Sequence, residues 1–391
     1  MSPEDSPPSG LDRSLERRTC KEPCMSRTRM SAHVADRLDR CRARMRQEGV
    51  SALLVTRDAD LFYLTGYTGE DSAALILPGK THILTDRRFE SEARREVRWA
   101  RVWMRKGTLN QEIARACAAL RLRKVWYQPD GLNVGALAEL KKLCRPTALV
   151  GAPPIVGPMR LLKDAEDLRC MKRAVSIAEE AFTALRKSVR TGQTELELAA
   201  RLEYEMKRRG SRKPAFSTII AEGPNAALPH ARPGVRKVRE GSAILVDWGA
   251  RWEGYCSDLT RMIFIGSVSA RMRKVYEAVL GAQIRAIEAV RPEARMCDVD
   301  AVARKHIRRE GFGPRFTHGL GHGLGLDVHE PPSVSWRSDA PMQAGMVVTI
   351  EPGVYLPGVG GVRIEDDVLV MPRGARILTS LGKRIEDALL R

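Results

Sequence analysis

Residues 151–159, GAPPIVGPM, place two glycines and three prolines within nine positions. Proline locks its own φ, lacks an N–H and pushes its predecessor out of the helical region, so neither a helix nor a central strand passes through such a run. In a chain of 391 residues the break has a clear meaning. Single cores stop growing well below this length, so the chain is expected to fold as two units meeting here, over 33–156 and 157–391.

The first unit alternates short periodic segments. Apolar residues recur at helical spacing over 35–49, and Gly49 ends the pattern. ALLVT over 52–56 reads as a strand, and 73–86 as a hairpin turning at Pro78 and Gly79. A helix over 87–97 and further alternation complete a mixed α/β unit. Residues 1–32 carry Pro, Ser and charge with little apolar material, which predicts a tail without a packed core, and Met25 or Met30 as alternative starts. The first thirty residues have no apolar h-region of a secretory signal.

Beyond the break the periods lengthen. Helices are predicted over 164–189 and 194–209, the second capped by Thr194. Strands follow over 216–221, 243–249 and 259–266, then helices over 270–290 and 299–310, and strands over 346–352 and 362–370. The class is α+β.

Charge and cysteine usage exclude several functions. The net charge is +18, from 66 basic against 48 acidic residues, but the basic residues are spread along the whole chain. Their densest stretch, KRRGSRK over 207–213, lacks interleaved aromatics, which make up only 5% of the chain. This predicts a solvated basic surface rather than a nucleic-acid interface. No run of about 18 apolar residues offers a membrane span. The eight cysteines have no metal-site spacing: Cys20 and Cys24 lack a second pair. Free thiols in a reducing cytoplasm are expected.

The chemistry concentrates in the second unit. Four of the seven histidines, His230, His318, His322 and His329, lie in its Gly/Pro-punctuated segments. Asp247, Asp258, Glu351 and Glu365 each sit in or beside an apolar run: ILVDWGA, YCSDLT, VVTIEPGVY and GVRIEDD. A buried ionised carboxylate is costly unless paired, hydrogen-bonded or bound to metal. One such acid is ordinarily a paired core or strand-end residue; four beside a GHG segment point to a metal site. Other readings fail on spacing. His329 is followed by EPPS, so there is no HExxH; the glycines at 319, 321, 323 and 325 do not form GxGxxG; and no GxSxG occurs. Such glycines instead let the backbone approach a site closely.

In chain order, GPNAALPHARPG, DWGARWEGYCSDLTR, HGLGHGLGLDVHEPP, TIEPGVY and VRIEDDV resemble the pita-bread metallopeptidases, the family of aminopeptidase P, prolidase and creatinase. The resemblance runs from about residue 161 to the end. YLTGYTGEDSAALIL and ILTDRRFESEA are similar to the creatinase-like N-terminal domain of the Xaa-Pro branch. The resemblance implies Asp247, Asp258, His322, Glu351 and Glu365 as ligands of two divalent ions. Asp247 would bind one ion, His322 and Glu351 the other, with Asp258 and Glu365 bridging. Four carboxylates and one imidazole suit Mn²⁺ or Co²⁺, with Zn²⁺ as a further candidate, and balance two dications. Such a pair lowers the pKa of a shared water and polarises the scissile carbonyl. The family pattern further implies Glu351 as a proton relay and His230 and His329 as groups that stabilise the tetrahedral intermediate. His318 would line the proline-side pocket, Arg363 and Thr260 would orient Glu365 and Asp258, and Tyr355 would bond nearby. Cys256 and Met262 depart from the usual pattern without supplying a ligand.

The implied activity is that of an Xaa-Pro aminopeptidase: metal-dependent removal of a residue that precedes proline, by a cytoplasmic homodimer. The alternative is prolidase, restricted to dipeptides, which would need a cation for the product's carboxylate; Arg337 and Arg232 are candidates. A metal-free creatinase-like hydrolase and a non-catalytic binding module are disfavoured, since neither has reason to keep all five ligands. Methionine aminopeptidase is disfavoured by the substantial N-terminal domain.

Overall fold

A computed structural model describes residues 31–390. The expected tail, apart from its last two residues, lies outside the described residues, as do Cys20 and Cys24. Ala32 already begins the first helix, Ala32–Gln47.

The first half is built on a six-stranded mixed sheet. From one edge it runs Arg101–Met104, Thr81–Thr85, Ala73–Ile76, Leu53–Val55, Lys124–Tyr127, Ala148–Gly151. Alternate side chains leave a strand on opposite faces, and the burial follows that period. Leu54, Ala73, Leu75 and Leu84 pack with Ile113, Cys117 and Leu140 of the helices Leu109–Ala119 and Val134–Leu143. Leu53, Val55, Ala74 and Ile76 face the other way, toward Val34, Leu38, Cys41 and Met45 of the first helix. A short helix, Asp58–Thr65, not foreseen from the sequence, fills the gap before the hairpin and ends at Gly66 with φ +69°.

The second face also packs on the other half of the chain. Tyr255, Cys256, Leu324, Leu326, Val347 and Leu369 belong to the same apolar cluster. The Pro/Gly-rich connection lies in it as well: Ile155, Val156 and Met159 are buried there.

In the second half, helices Ala165–Ser188 and Glu195–Arg208 start at Asp164 and Thr194, each closing a capping box. They cover one face of a four-stranded sheet ordered Leu389–Leu390, Leu259–Ile265, Ala243–Trp248, Ile219–Glu222. Ile244, Val246 and Trp248 meet those helices, with the indole of Trp248 stacked on Phe182 at 4.5 Å. The opposite face packs with helices Ala270–Ala289 and Met296–Arg309 and with a five-stranded sheet. That sheet is ordered Glu330–Val334, Gly321–Gly323, Val347–Ile350, Asp366–Val370, Ala375–Ile377.

Two predicted strands are redrawn. The run 216–221 becomes a strand only from Ile219. The single strand over 362–370 divides: Gly360–Arg363 forms a ribbon with Gly353–Leu356, and Asp366–Val370 joins the five-stranded sheet. Between them the Glu365 N–H leaves both partners to donate to the Thr260 carbonyl at 3.2 Å. Among the described residues no helix is long and apolar enough to cross a membrane.

Candidate metal centre

Strand register explains how acids distant in sequence meet. On Ala243–Trp248, residues 244, 246 and 248 face the helices, so Asp247 falls on the side of Leu245, toward the space between the two sheets. On the neighbouring strand Thr260 lies opposite Asp247, and Glu365 bridges to Thr260. Asp258 stands just before that strand begins. His322 is the middle residue of Gly321–Gly323, and Glu351 follows Val347–Ile350, where its N–H donates to the Leu320 carbonyl at 2.8 Å. A Cβ on Gly321 would lie 1.9 Å from the Thr349 carbonyl oxygen, so only glycine lets the His322 strand come this close.

Four of the five expected ligands meet directly, and Asp247 is linked to them through Arg363 and Thr260. Ligand atoms of Asp258, His322 and Glu365 lie within 4.8 Å of one another. His322 Nε2 is 3.4 Å from Glu351 Oε1 and 3.7 Å from Asp258 Oδ2. Its Nδ1 faces the Gly323 carbonyl at 3.1 Å, which places the proton on Nδ1 and leaves the Nε2 lone pair toward the acids.

Surrounding groups fix these side chains. Thr260 Oγ1 donates to Glu365 Oε2 at 2.6 Å and accepts from Arg363 Nε at 3.1 Å. The buried Arg363 guanidinium pairs with Asp247 and donates to Tyr355 Oη at 2.8 Å and to the Pro229 carbonyl at 3.2 Å. Tyr355 Oη in turn bonds His318 Nε2 at 2.9 Å. Thr349 accepts from the His322 N–H at 3.1 Å and donates to Glu351 Oε1 at 3.3 Å.

Thus Thr260 hydrogen-bonds to Glu365, whereas Arg363 pairs directly with Asp247 and is hydrogen-bonded to Glu365 through Thr260. The Asp258 backbone is held by a group the sequence reading passed over: its N–H donates to Asp367 Oδ2 at 3.2 Å. Asp367 is fully buried. The second and third acids of IEDD inside an apolar run were the available signal. Asp366 faces away, to Arg261 at 2.7 Å and Gln283 at 2.7 Å, and those cationic and polar partners, with Lys383, hold it down at about 2 despite burial.

The electrostatics call for positive charge. Burial pushes Asp247 up against the pull of Arg363, and Glu351 up to about 8. Burial and mutual repulsion carry Asp258 and Glu365 well above the carboxylate range. His322 is driven down to about 4, chiefly by burial and then by His329, so it is neutral and no counter-charge. Asp247 Oδ1 is buried without a hydrogen-bond partner among the described residues. Hard oxygen donors around a neutral imidazole, with one oxygen left over, fit divalent cations.

The remaining expected residues line the approach or lie apart. His329 is exposed, its ring centroid 4.2 Å from that of His322. His230 is also exposed, and both rings act electrostatically on Asp247. Arg337 is exposed and rests on the Trp336 ring at 5.3 Å, and Arg232 is exposed as well. Cys256 and Met262 are buried in apolar clusters.

Comparison with known proteins agrees with this geometry. Residues 169–372 match the model of Metallopeptidase family M24, and residues 37–162 that of the Creatinase/Prolidase N-terminal domain. The chain is 33% identical over 341 residues to an Xaa-Pro dipeptidase of Pyrococcus horikoshii, covering 87% of this chain and 96% of that one. Among solved structures it is similar to an X-Pro aminopeptidase from Thermotoga maritima, with TM-score 0.82, 35% identity and coverage of 87% and 98%. It is equally similar to an Xaa-Pro dipeptidase from Bacillus anthracis, with TM-score 0.85, 31% identity and coverage of 91% and 100%.

Proposed function

The chain belongs to metallopeptidase family M24, with a creatinase-type N-terminal domain before a pita-bread catalytic domain, and on that premise we propose that it is an Xaa-Pro aminopeptidase. The observation that carries the reading is the convergence of Asp258, His322 and Glu365, with Glu351 beside His322 and Asp247 joined to Glu365 through Arg363 and Thr260. Asp247, Asp258, His322, Glu351 and Glu365 would hold two divalent ions, Mn²⁺ first, with Co²⁺ or Zn²⁺ as alternatives. Bound there, the ions supply Lewis-acid polarisation of the scissile carbonyl and an acidified water.

The protein's own side chains do the rest. Glu351 passes a proton toward the leaving proline nitrogen. His230 and His329, at the open side of the cluster, donate to the oxyanion of the tetrahedral intermediate. His318, fixed by Tyr355 and by its own Nδ1 contact to the Gly319 carbonyl at 2.8 Å, borders the proline ring. The substrates are peptides with proline in second position.

The dipeptidase reading stays in view because relatives of similar identity carry the name Xaa-Pro dipeptidase. Against it, both candidate cations, Arg337 on Trp336 and Arg232, are exposed rather than fixed for a product carboxylate. Hydrolysis of Gly-Pro and of a longer Xaa-Pro-Yaa peptide separates the two. Cleavage of the longer peptide at comparable or higher kcat/KM is expected; cleavage of Gly-Pro alone would establish a dipeptidase. A homodimer is also proposed, and light scattering at micromolar concentration should return twice the monomer mass.

A further inference from the structure

The segment that carries His329 is gripped from outside the metal cluster by a buried ion network, and from it we propose that Arg160 is a positioning residue that sets His329 against the substrate. The inference rests on the proposed role of His329. Arg160 belongs to the short helix Gly157–Leu161, beside the Pro/Gly-rich connection, and is 7% exposed. Its Nη1 meets Asp60 Oδ1 of the N-terminal half at 2.7 Å. Its Nη2 meets Asp327 Oδ2 at 2.9 Å and Glu330 Oε2 at 2.5 Å. These acids flank His329, two residues before it and one after.

Further groups hold the same acids. Lys163 Nζ takes the other Glu330 oxygen at 2.8 Å, and Arg57 Nη2 takes Asp327 Oδ2 at 2.8 Å. The other oxygen of Asp60 accepts from Gln128 Nε2 at 2.6 Å. Within its buried part, Arg160 and Lys163 balance Asp60 and Glu330. Such a network contributes little net stability, because desolvation offsets its attraction; what it fixes is place.

Gly325 constrains Glu330 as well. A Cβ there would lie 2.3 Å from Glu330 Oε1, an atom that cannot swing away without leaving Lys163. The loop between Gly321–Gly323 and Glu330–Val334, strands whose pairing register shifts between His322 and Gly323, is thus clamped on both sides of His329. A donor displaced by about an ångström costs on the order of a hundredfold in rate.

The test is a double-mutant cycle on the metal-loaded enzyme. Arg160→Gln and Gly325→Ala should each lower kcat by roughly tenfold to a hundredfold with full metal content. In a His329→Ala background each should cost less than about twofold more, because both act through that ring. Losses that multiply in full in that background, or wild-type kcat in Arg160→Gln, overturn the proposal. If His329→Ala alone keeps wild-type kcat, the role of His329 itself is wrong, which is a distinct result. Should Arg160→Gln fail to fold, Arg57→Ala approaches Asp327 from the surface. It should lose roughly threefold to tenfold, again without further loss beside His329→Ala, and additive loss there counts against the clamp.

Discussion

Chelation should remove all detectable hydrolysis of Xaa-Pro peptides, and Mn²⁺ or Co²⁺ should restore it. The buried carboxylates Asp247, Asp258 and Glu365 and the half-buried Glu351 share the cluster with a neutral histidine, and among the described residues Arg363 is the one cation bonded into it. Without divalent cations nothing in the cluster polarises the scissile carbonyl. The same logic makes His322→Ala a double loss. Its Nε2 faces both Asp258 and Glu351, so the variant should lose metal by elemental analysis and at least ~10³-fold in turnover, since the bound ions contribute several kcal/mol to the transition state. Full activity in demonstrably metal-free protein would return the chain to the creatinase-like reading.

Replacing His230 or His329 with Ala should separate catalysis from ligation. Both residues are exposed and act electrostatically on Asp247, and neither joins the group of close ligand atoms. Metal content should therefore stay near wild type. Turnover should fall on the order of a hundredfold or more, because a donor aimed at a developing oxyanion contributes a few kcal/mol. Loss of metal in His230→Ala, or unchanged kcat, would show that its role is misassigned.

Much of this site is legible in the chain before any coordinates. Acids embedded in apolar runs are a strong signal, since burial of charge demands a partner, and the paired motifs around Asp247, His322 and Glu351 lie on strands whose period sets their side. Helix starts at Asp164 and Thr194 were readable for the same local reason: each cap is completed within three residues.

Long-range partners were not. Nothing near Thr260 says that it faces Glu365, because that contact is made by register between strands more than a hundred residues apart. The division of 362–370 was hidden as well, since an uninterrupted run without Gly or Pro does not record which sheet each part joins. Asp366 and Asp367 look alike in sequence, yet one meets Arg261 and the other the Asp258 backbone. Their alternation across the strand separates them.

The connection over 151–159 has the composition of a flexible joint but not its surroundings. With Ile155, Val156 and Met159 sealed into an apolar cluster that both halves share, it is a splice rather than a hinge. Swinging the halves apart would expose Tyr255, Leu324 and Leu326 to water at roughly 1.5–3 kcal/mol for each large apolar side chain. Opening the molecule about this connection would therefore break the apolar cluster that both halves share.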